Sequence, residues 1–362
     1  MWKNRVAWAF LCLGALAAYV FENGLGTALL LSLCLGLPLV SGLVLALWPV
    51  KLRGELRVPE LADRGEEAAC RLILTGPRLL PIRCLVTAQN RFTGQTARIC
   101  AAEVGETAFV LTPVHCGSYL VTVGPATVYD LLGIFKKNCL VEAAGTLLTP
   151  PQTVPLALEL AQTGTGADSE TYSALRPGAD PSETFRIRDY VPGDSIRQIH
   201  WKLSEKTGKT LVRDFGLPLV NQTLLLLETT AIPGTSLEAE AMDLCLDLLA
   251  SVTAALCAMG QTPVVLDTPI RDPTDLATLW PALLSQPLSE GVQTVCGRTA
   301  AEGLCTYAHV AVISPYPPPD GASLLNGNRV TVLLAGPGES PGVETVPISA
   351  KAFRSGELEL VL

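Results

Sequence analysis

Two uninterrupted apolar runs open the chain, 6–21 and 25–48, with only Glu22-Asn23-Gly24 between them. A helix rises about 1.5 Å per residue against a hydrocarbon core of roughly 30 Å, so the second run spans comfortably and the first barely. The tight polar connection predicts an antiparallel transmembrane hairpin over 1–50. Lys3 and Arg5 precede it, and Lys51, Arg53 and Arg57 follow it. Positive charge on both flanks predicts a two-pass cell-membrane protein with the bulk of the chain in the cytoplasm and Glu22 outside. Trp2, Trp8 and Trp48 fall near the ends, where indoles favour the interface. A signal peptide is not expected, because a second full-length run follows at once. Neither run carries Lys, Arg, Asp or His, which argues against a proton path and for an anchor.

From Glu55 to Leu148 the period becomes two. Ile82, Cys84, Val86 and Ala88 alternate with Arg83, Leu85 and Thr87; Tyr119, Val121 and Val123 alternate with Ser118, Leu120 and Thr122. Turn signals at Gly76-Pro77, 90–94, Gly105 and Gly117 separate short runs at sandwich spacing, so 51–150 is expected to be an Ig-like β-sandwich of six to eight strands. Residues 151–182, rich in Pro, Gly, Thr and Ala around Gly164-Thr165-Gly166, read as a linker. Beyond 217 short apolar strands alternate with helical periodicity: strands at 223–227, 263–266, 308–313 and 330–334, and helices at 236–259 and 274–284. Ser236 is the expected N-cap of the first helix and Gly260 its end. Strands apolar on both faces and separated by helices predict an α/β domain with a mostly parallel sheet over 217–362. Glu357–Leu362 is expected as an edge strand.

Composition agrees with a membrane protein: 49% hydrophobic and 17% charged residues, with a formal net charge of -8. Eleven cysteines occur without Cys-x-x-Cys and with only three histidines, so they read as core packing in a reducing compartment, without cofactor or metal. Against this acidic background, 186–213 holds seven Lys/Arg and three Asp/Glu. Those acids lie among the bases, which argues against nucleic acid. Pro192-Gly193 is a turn signal, with Asp194 or Ser195 placed to cap the short helical segment that follows.

This segment, 183–216, resembles the signature of the domain-of-unknown-function family 58, whose pattern runs roughly Arg-x-Tyr-x-Pro-Gly-Asp-x-x-Arg-x-Ile-x-Trp-Lys. Here Arg188, Tyr190, Pro192, Gly193, Asp194, Arg197, Ile199, Trp201 and Lys202 match, with His200 among them and Arg213 in the following strand. Leu203-Ser204-Glu205-Lys206 departs from the family's Ala-Ser-Ala-Arg type sequence. Tyr129-Asp130-Leu131-Leu132-Gly133-Ile134-Phe135-Lys136 is a weaker echo of the family's Asp-Pro-Phe-Gly-Leu-Phe element. The resemblance implies a von Willebrand factor A-like domain at the C-terminal end. It also implies a partnership with a MoxR-type AAA+ ATPase and a transglutaminase-like membrane protein.

Domains of the A-like kind often bind Mg²⁺ through Asp-x-Ser-x-Ser after the first strand. The corresponding residues are Glu228-Thr229-Thr230-Ala231-Ile232, in which Ile232 has no side-chain oxygen; Glu228 and Thr230 are the candidate ligands, and metal binding is not expected. Three roles remain for the signature: an internal clamp of Arg188, Asp189, Asp194, Arg197, Trp201 and Lys202; a protein-docking surface; or hydrolysis by Ser195 and His200. The five-residue separation of Ser195 and His200 does not obviously bring hydroxyl to imidazole. A non-enzymatic, membrane-anchored interaction protein is therefore the expected function.

Overall fold

The computed structural model describes residues 2–22, 24–47, 50–77, 80–159, 171–172, 177–178, 180–216, 218–235, 237–301, 307–325 and 328–362. It divides into two compact units, Met1–Pro150 and Pro151–Leu362.

In the first unit, α1 (Trp2–Glu22) and α2 (Leu25–Leu47) form the hairpin. Both helices are long and apolar enough to cross a membrane, and their side chains are mostly uncovered by protein. Pro38 lies inside α2 and lacks the N–H that would bond the carbonyl of Cys34 four residues earlier. The Trp8 indole donates to that carbonyl over 3.0 Å, and the Cys12 thiol over 3.6 Å. Trp8, expected at the membrane interface, is instead directed at the neighbouring helix, because the proline leaves an acceptor there that lipid cannot satisfy. Trp48 lies outside the described residues.

Nine strands follow: β1 (Arg53–Arg57), β2 (Ala68–Thr75), β3 (Ile82–Asn90), β4 (Thr96–Ala102), β5 (Gly105–Leu111), β6 (Gly117–Val123), β7 (Ala126–Tyr129), β8 (Lys136–Cys139) and β9 (Ala144–Thr149). They make an antiparallel sheet β1-β2-β5 and a second sheet β8-β7-β3-β6-β9, with β4 also on β3. The alternation read from sequence is what is buried: Ile82, Cys84, Val86, Ala88, Tyr119, Val121 and Val123 share one core with Cys70, Leu72 and Leu74 of the other sheet. Leu45, near the end of α2, belongs to the same core.

The second unit is built on a six-strand path. In chain order these are β14 (Pro218–Leu227), β16 (Val264–Val265), β17 (Thr268–Pro269), β19 (Tyr307–Ser314), β20 (Arg329–Leu334) and β21 (Glu344–Pro347), preceded by β10 (Ala157–Glu159), β11 (Thr171–Tyr172), β12 (Asp180–Asp189) and β13 (Leu211–Gly216); β15 (Thr230–Ala231) and β18 (Ser289–Glu290) pair with each other outside the path. The spatial order is β17-β16-β14-β19-β20-β21, with β11 antiparallel on β14. All pairings along the path are parallel except β16-β17, which is antiparallel. Helices α4 (Ala239–Ala258), α5 (Pro273–Ser285) and α6 (Val295–Ala301) occupy the connections. Although α4 is also long and apolar, most of its apolar stretch is buried by protein, as the core helix of this unit. Ser236, its expected cap, lies outside the described residues, and Glu238 stands at the N-cap without a side-chain bond.

Two expectations change. Residues 152–159 are not free linker: the Gln152 N–H donates to the Asp247 carboxylate and the Val154 N–H to the Ser251 hydroxyl, both on α4. The C-terminal strand β22 (Glu359–Val361) leaves the main sheet edge to β21 and pairs in parallel with β10. Gly164-Thr165-Gly166 lies outside the described residues.

Candidate functional site

The signature forms an arm. Strands β12 and β13 pair antiparallel with Arg186 opposite Asp214 and Ile187 opposite Arg213. Side chains two apart share a face, so Arg186 and Arg188 both reach Asp214, which is only 8% exposed. Arg186 donates to it over 2.8 Å and Arg188 over 3.2 Å. Arg188 also grips Asp194 bidentately, both bonds at 2.7 Å. The second Asp194 function is local: its carboxylate accepts the Val191 N–H over 2.8 Å. The Arg188 guanidinium, then that N–H, hold the Asp194 carboxyl down at about 2, while Asp194 pushes the Arg188 pKa up.

The tip follows. The Asp194 N–H bonds the Val191 carbonyl, closing a turn in which Gly193 has φ +114°, a region that favours glycine. Ser195 precedes a 3-10 turn (Ile196–Gln198) without making a side-chain cap, and Asp194 is turned back toward Arg188. His200 caps α3 (Trp201–Thr207): its Nδ1 accepts the Leu203 N–H over 3.3 Å. Ser204, in the stretch that departs from the family pattern, accepts the Leu211 N–H over 2.8 Å and ties α3 to β13. Ile199 and Val212 are buried between them.

What this arrangement presents outward is apolar and basic. Trp201 is 66% exposed and Ile196 70%; Tyr190 and Val191 are exposed beside them. Arg197, Lys202, Lys206 and Lys209 are exposed as well, and none of them is ion-paired among the described residues. Arg213 is half-buried, stacked 5.8 Å from the Phe215 ring. Of the expected clamp, therefore, Arg188 and Asp194 form it, whereas Asp189, Arg197, Trp201 and Lys202 point away. The sequence reading missed Arg186 and Asp214. The period-two spacing of Arg186 and Arg188 was the available signal, but the partner across the ribbon needs the register.

The other candidate lies at the carboxyl end of β14, beside β19, where the strand order reverses and ligands of open α/β sheets usually sit. Glu228 is fully buried; its two oxygens accept the Thr230 N–H at 2.9 Å and the Val295 N–H at 2.7 Å. Burial raises its pKa, opposed by those N–H groups and by Arg298. Arg298 donates to the Thr230 hydroxyl over 3.0 Å, Ser289 donates to it over 3.2 Å, and the Tyr316 hydroxyl donates to the Thr230 carbonyl over 2.6 Å. The structure thus brings Glu228 and Thr230 together, but engages both Glu228 oxygens with the backbone and sets a guanidinium at the Thr230 hydroxyl. That set does not fit a divalent cation, and no cluster of three His, Cys, Asp or Glu stands ready for one among the described residues. Arg298 and Tyr316 were not legible as members of this group. An open depression of about 460 Å³ adjoins it, lined by Ala231–Thr235 and Glu290–Val292.

No family model matches the chain. No curated protein matches it. Among solved structures, the chain is similar to the PKD domain of an M14-like peptidase from a Thermoplasmatales archaeon: 18% identity, TM-score 0.20, covering 27% of this chain and 95% of that one. It is also similar to the CARDB domain of a Pyrococcus furiosus protein, solved in complex with di-metal ions: 16% identity, TM-score 0.20, covering 28% of this chain and 88% of that one.

Proposed function

We propose that this chain is a membrane-anchored, non-enzymatic interaction protein of the domain-of-unknown-function family 58 type, which docks a protein partner through the tip of its signature arm. The observation that carries the reading is the exposure of Trp201 and Ile196 on a tip whose backbone is braced from behind by Arg188, Asp194 and Asp214. Exposed Trp with neighbouring Arg is the usual composition of an interface anchor, and a rigid support lowers the entropy cost of binding. The net basic character of the tip complements an acidic partner. His200 serves as a helix cap, which leaves the Ser195–His200 hydrolase reading without support.

The strand order 3-2-1-4-5-6, with its third strand antiparallel, favours the von Willebrand factor A-like reading of the second unit. In that reading the Thr230 hydroxyl, a candidate oxygen for an ion, accepts a hydrogen bond from Arg298. Positive flanks around the hairpin favour a cytoplasmic location for both units. The partner class, a MoxR-type AAA+ ATPase acting with a transglutaminase-like membrane protein, comes from the family resemblance. The test is co-purification of the full chain with that ATPase from detergent. Trp201→Ala is expected to abolish capture while thermal stability stays unchanged. Equal capture by wild type and variant would remove the docking role of the tip. Thiol labelling of Cys139 or Cys100 from outside intact cells would reverse the proposed orientation.

A further inference from the structure

The motif echo at 129–136 acquires a place in the first unit that the docking reading does not use. The loop between β7 and β8 lies across the end of the helical hairpin where α1 begins and α2 finishes. Asn4 donates to the Leu132 carbonyl over 3.1 Å and Arg5 to the Ile134 carbonyl over 2.9 Å. From α2, the Ser41 hydroxyl donates to the buried Asp130 carboxylate over 2.7 Å, and that carboxylate also accepts the Phe135 N–H over 2.8 Å. Gly42 allows the Phe135 ring to lie against the helix: a Cβ there would stand 3.1 Å from the ring. Lys137 caps the Ala46 carbonyl at the α2 terminus over 3.3 Å, satisfying a backbone group no later turn can reach.

Between this loop and α2 runs an open groove of about 670 Å³. Its walls are Pro38, Leu39 and Leu43 on the helix and Phe135 on the loop, and its rim is Lys136 and Lys137. The apolar wall continues along the exposed face of α2, where Leu39 is 72% exposed. Lys136 is exposed and has no ion pair among the described residues. On the reading that α1 and α2 cross a bilayer, this places an apolar slot at acyl-chain depth directly beneath ammonium groups at headgroup depth, the depth where such groups settle.

We propose that the groove holds one anionic phospholipid, an acyl chain lying along Pro38, Leu39 and Leu43 and its phosphate at Lys136. A zwitterionic lipid fits the slot equally well but gains less at the rim, so the site discriminates by headgroup charge.

The experiment is native mass spectrometry of the full chain released from a neutral detergent, titrated with phosphatidylglycerol or phosphatidylcholine of matched chains. The expected result is one retained phosphatidylglycerol per chain, with roughly fivefold weaker retention of phosphatidylcholine and the same loss in Lys136→Gln. Leu39→Trp, which fills the slot at an exposed position, is expected to reduce retention of both lipids. Equal retention of the two lipids by wild type overturns the proposal, as does undiminished discrimination in Lys136→Gln. Alkaline carbonate extraction of membranes separates the two levels: a chain released into the supernatant refutes the spanning hairpin itself, whereas a retained chain without headgroup discrimination refutes only the lipid site.

Discussion

The Arg298 guanidinium donates to the Thr230 hydroxyl over 3.0 Å, across 68 positions of sequence, beside the buried carboxylate of Glu228. A fixed side-chain cation there makes the site independent of a dissolved one. The unfolding temperature of the purified chain is expected to be unchanged by EDTA or by millimolar Mg²⁺. An increase with Mg²⁺ would show that the carboxylate is available after all. Glu228→Gln retains the size of the side chain but gives one of the two N–H groups at Thr230 and Val295 a donor to face. It is expected to cost about 1–3 kcal/mol in chemical denaturation.

Arg188 and Trp201 separate the bracing of the arm from its proposed docking role. Arg188→Ala removes the guanidinium that Asp194 and Asp214 share and leaves Asp214 with Arg186 alone. Limited proteolysis is expected to cut within 186–200 in that variant, while the sheets at β14 and β3 remain protected. Trp201→Ala is expected to leave the cleavage pattern unchanged. Identical patterns for wild type and Arg188→Ala would remove the bracing role.

Asp194 and Glu228 are perturbed in opposite senses and respond to pH with opposite sign. Asp194 is held at about 2, below its ordinary 3.8, so its contribution to the arm is complete above 3.8 and is lost as pH falls from there through 2. Glu228 is raised above 4.5, so the folded form retains a proton that the unfolded form releases. Its contribution is greatest below 4.5 and declines as pH rises through its folded value. Hydrogen exchange at the Val191 amide is expected to accelerate between pH 3.8 and 2 beyond its intrinsic trend. That excess should vanish in Asp194→Asn.

Within the hairpin, Trp8 substitutes for the N–H that Pro38 lacks. Trp8→Phe is expected to weaken helix association by about 1 kcal/mol, as measured by reversible denaturation in mixed micelles. In a Pro38→Ala background the Cys34 carbonyl regains its intrahelical partner, and the same substitution is expected to cost measurably less. Equal costs in the two backgrounds would mean that the indole bond does not compensate for the proline.

The sequence by itself determined the features that repeat within a few residues. The apolar runs became α1 and α2, the period-two face of 82–88 became one side of a core, and Pro192-Gly193 became a turn with positive φ at the glycine. These follow from backbone geometry and side-chain direction, which are local. Residues 152–159 misled because prolines and small residues look alike in a linker and in extended chain laid on a helix. Only the tertiary structure decided who meets whom: Asp214 with Arg188 across 26 positions, Arg298 with Thr230, Ser41 with Asp130 across 89. A charged or hydroxyl side chain signals that it needs a partner, but the partner is chosen by strand register and helix docking, which bring distant segments within hydrogen-bonding distance.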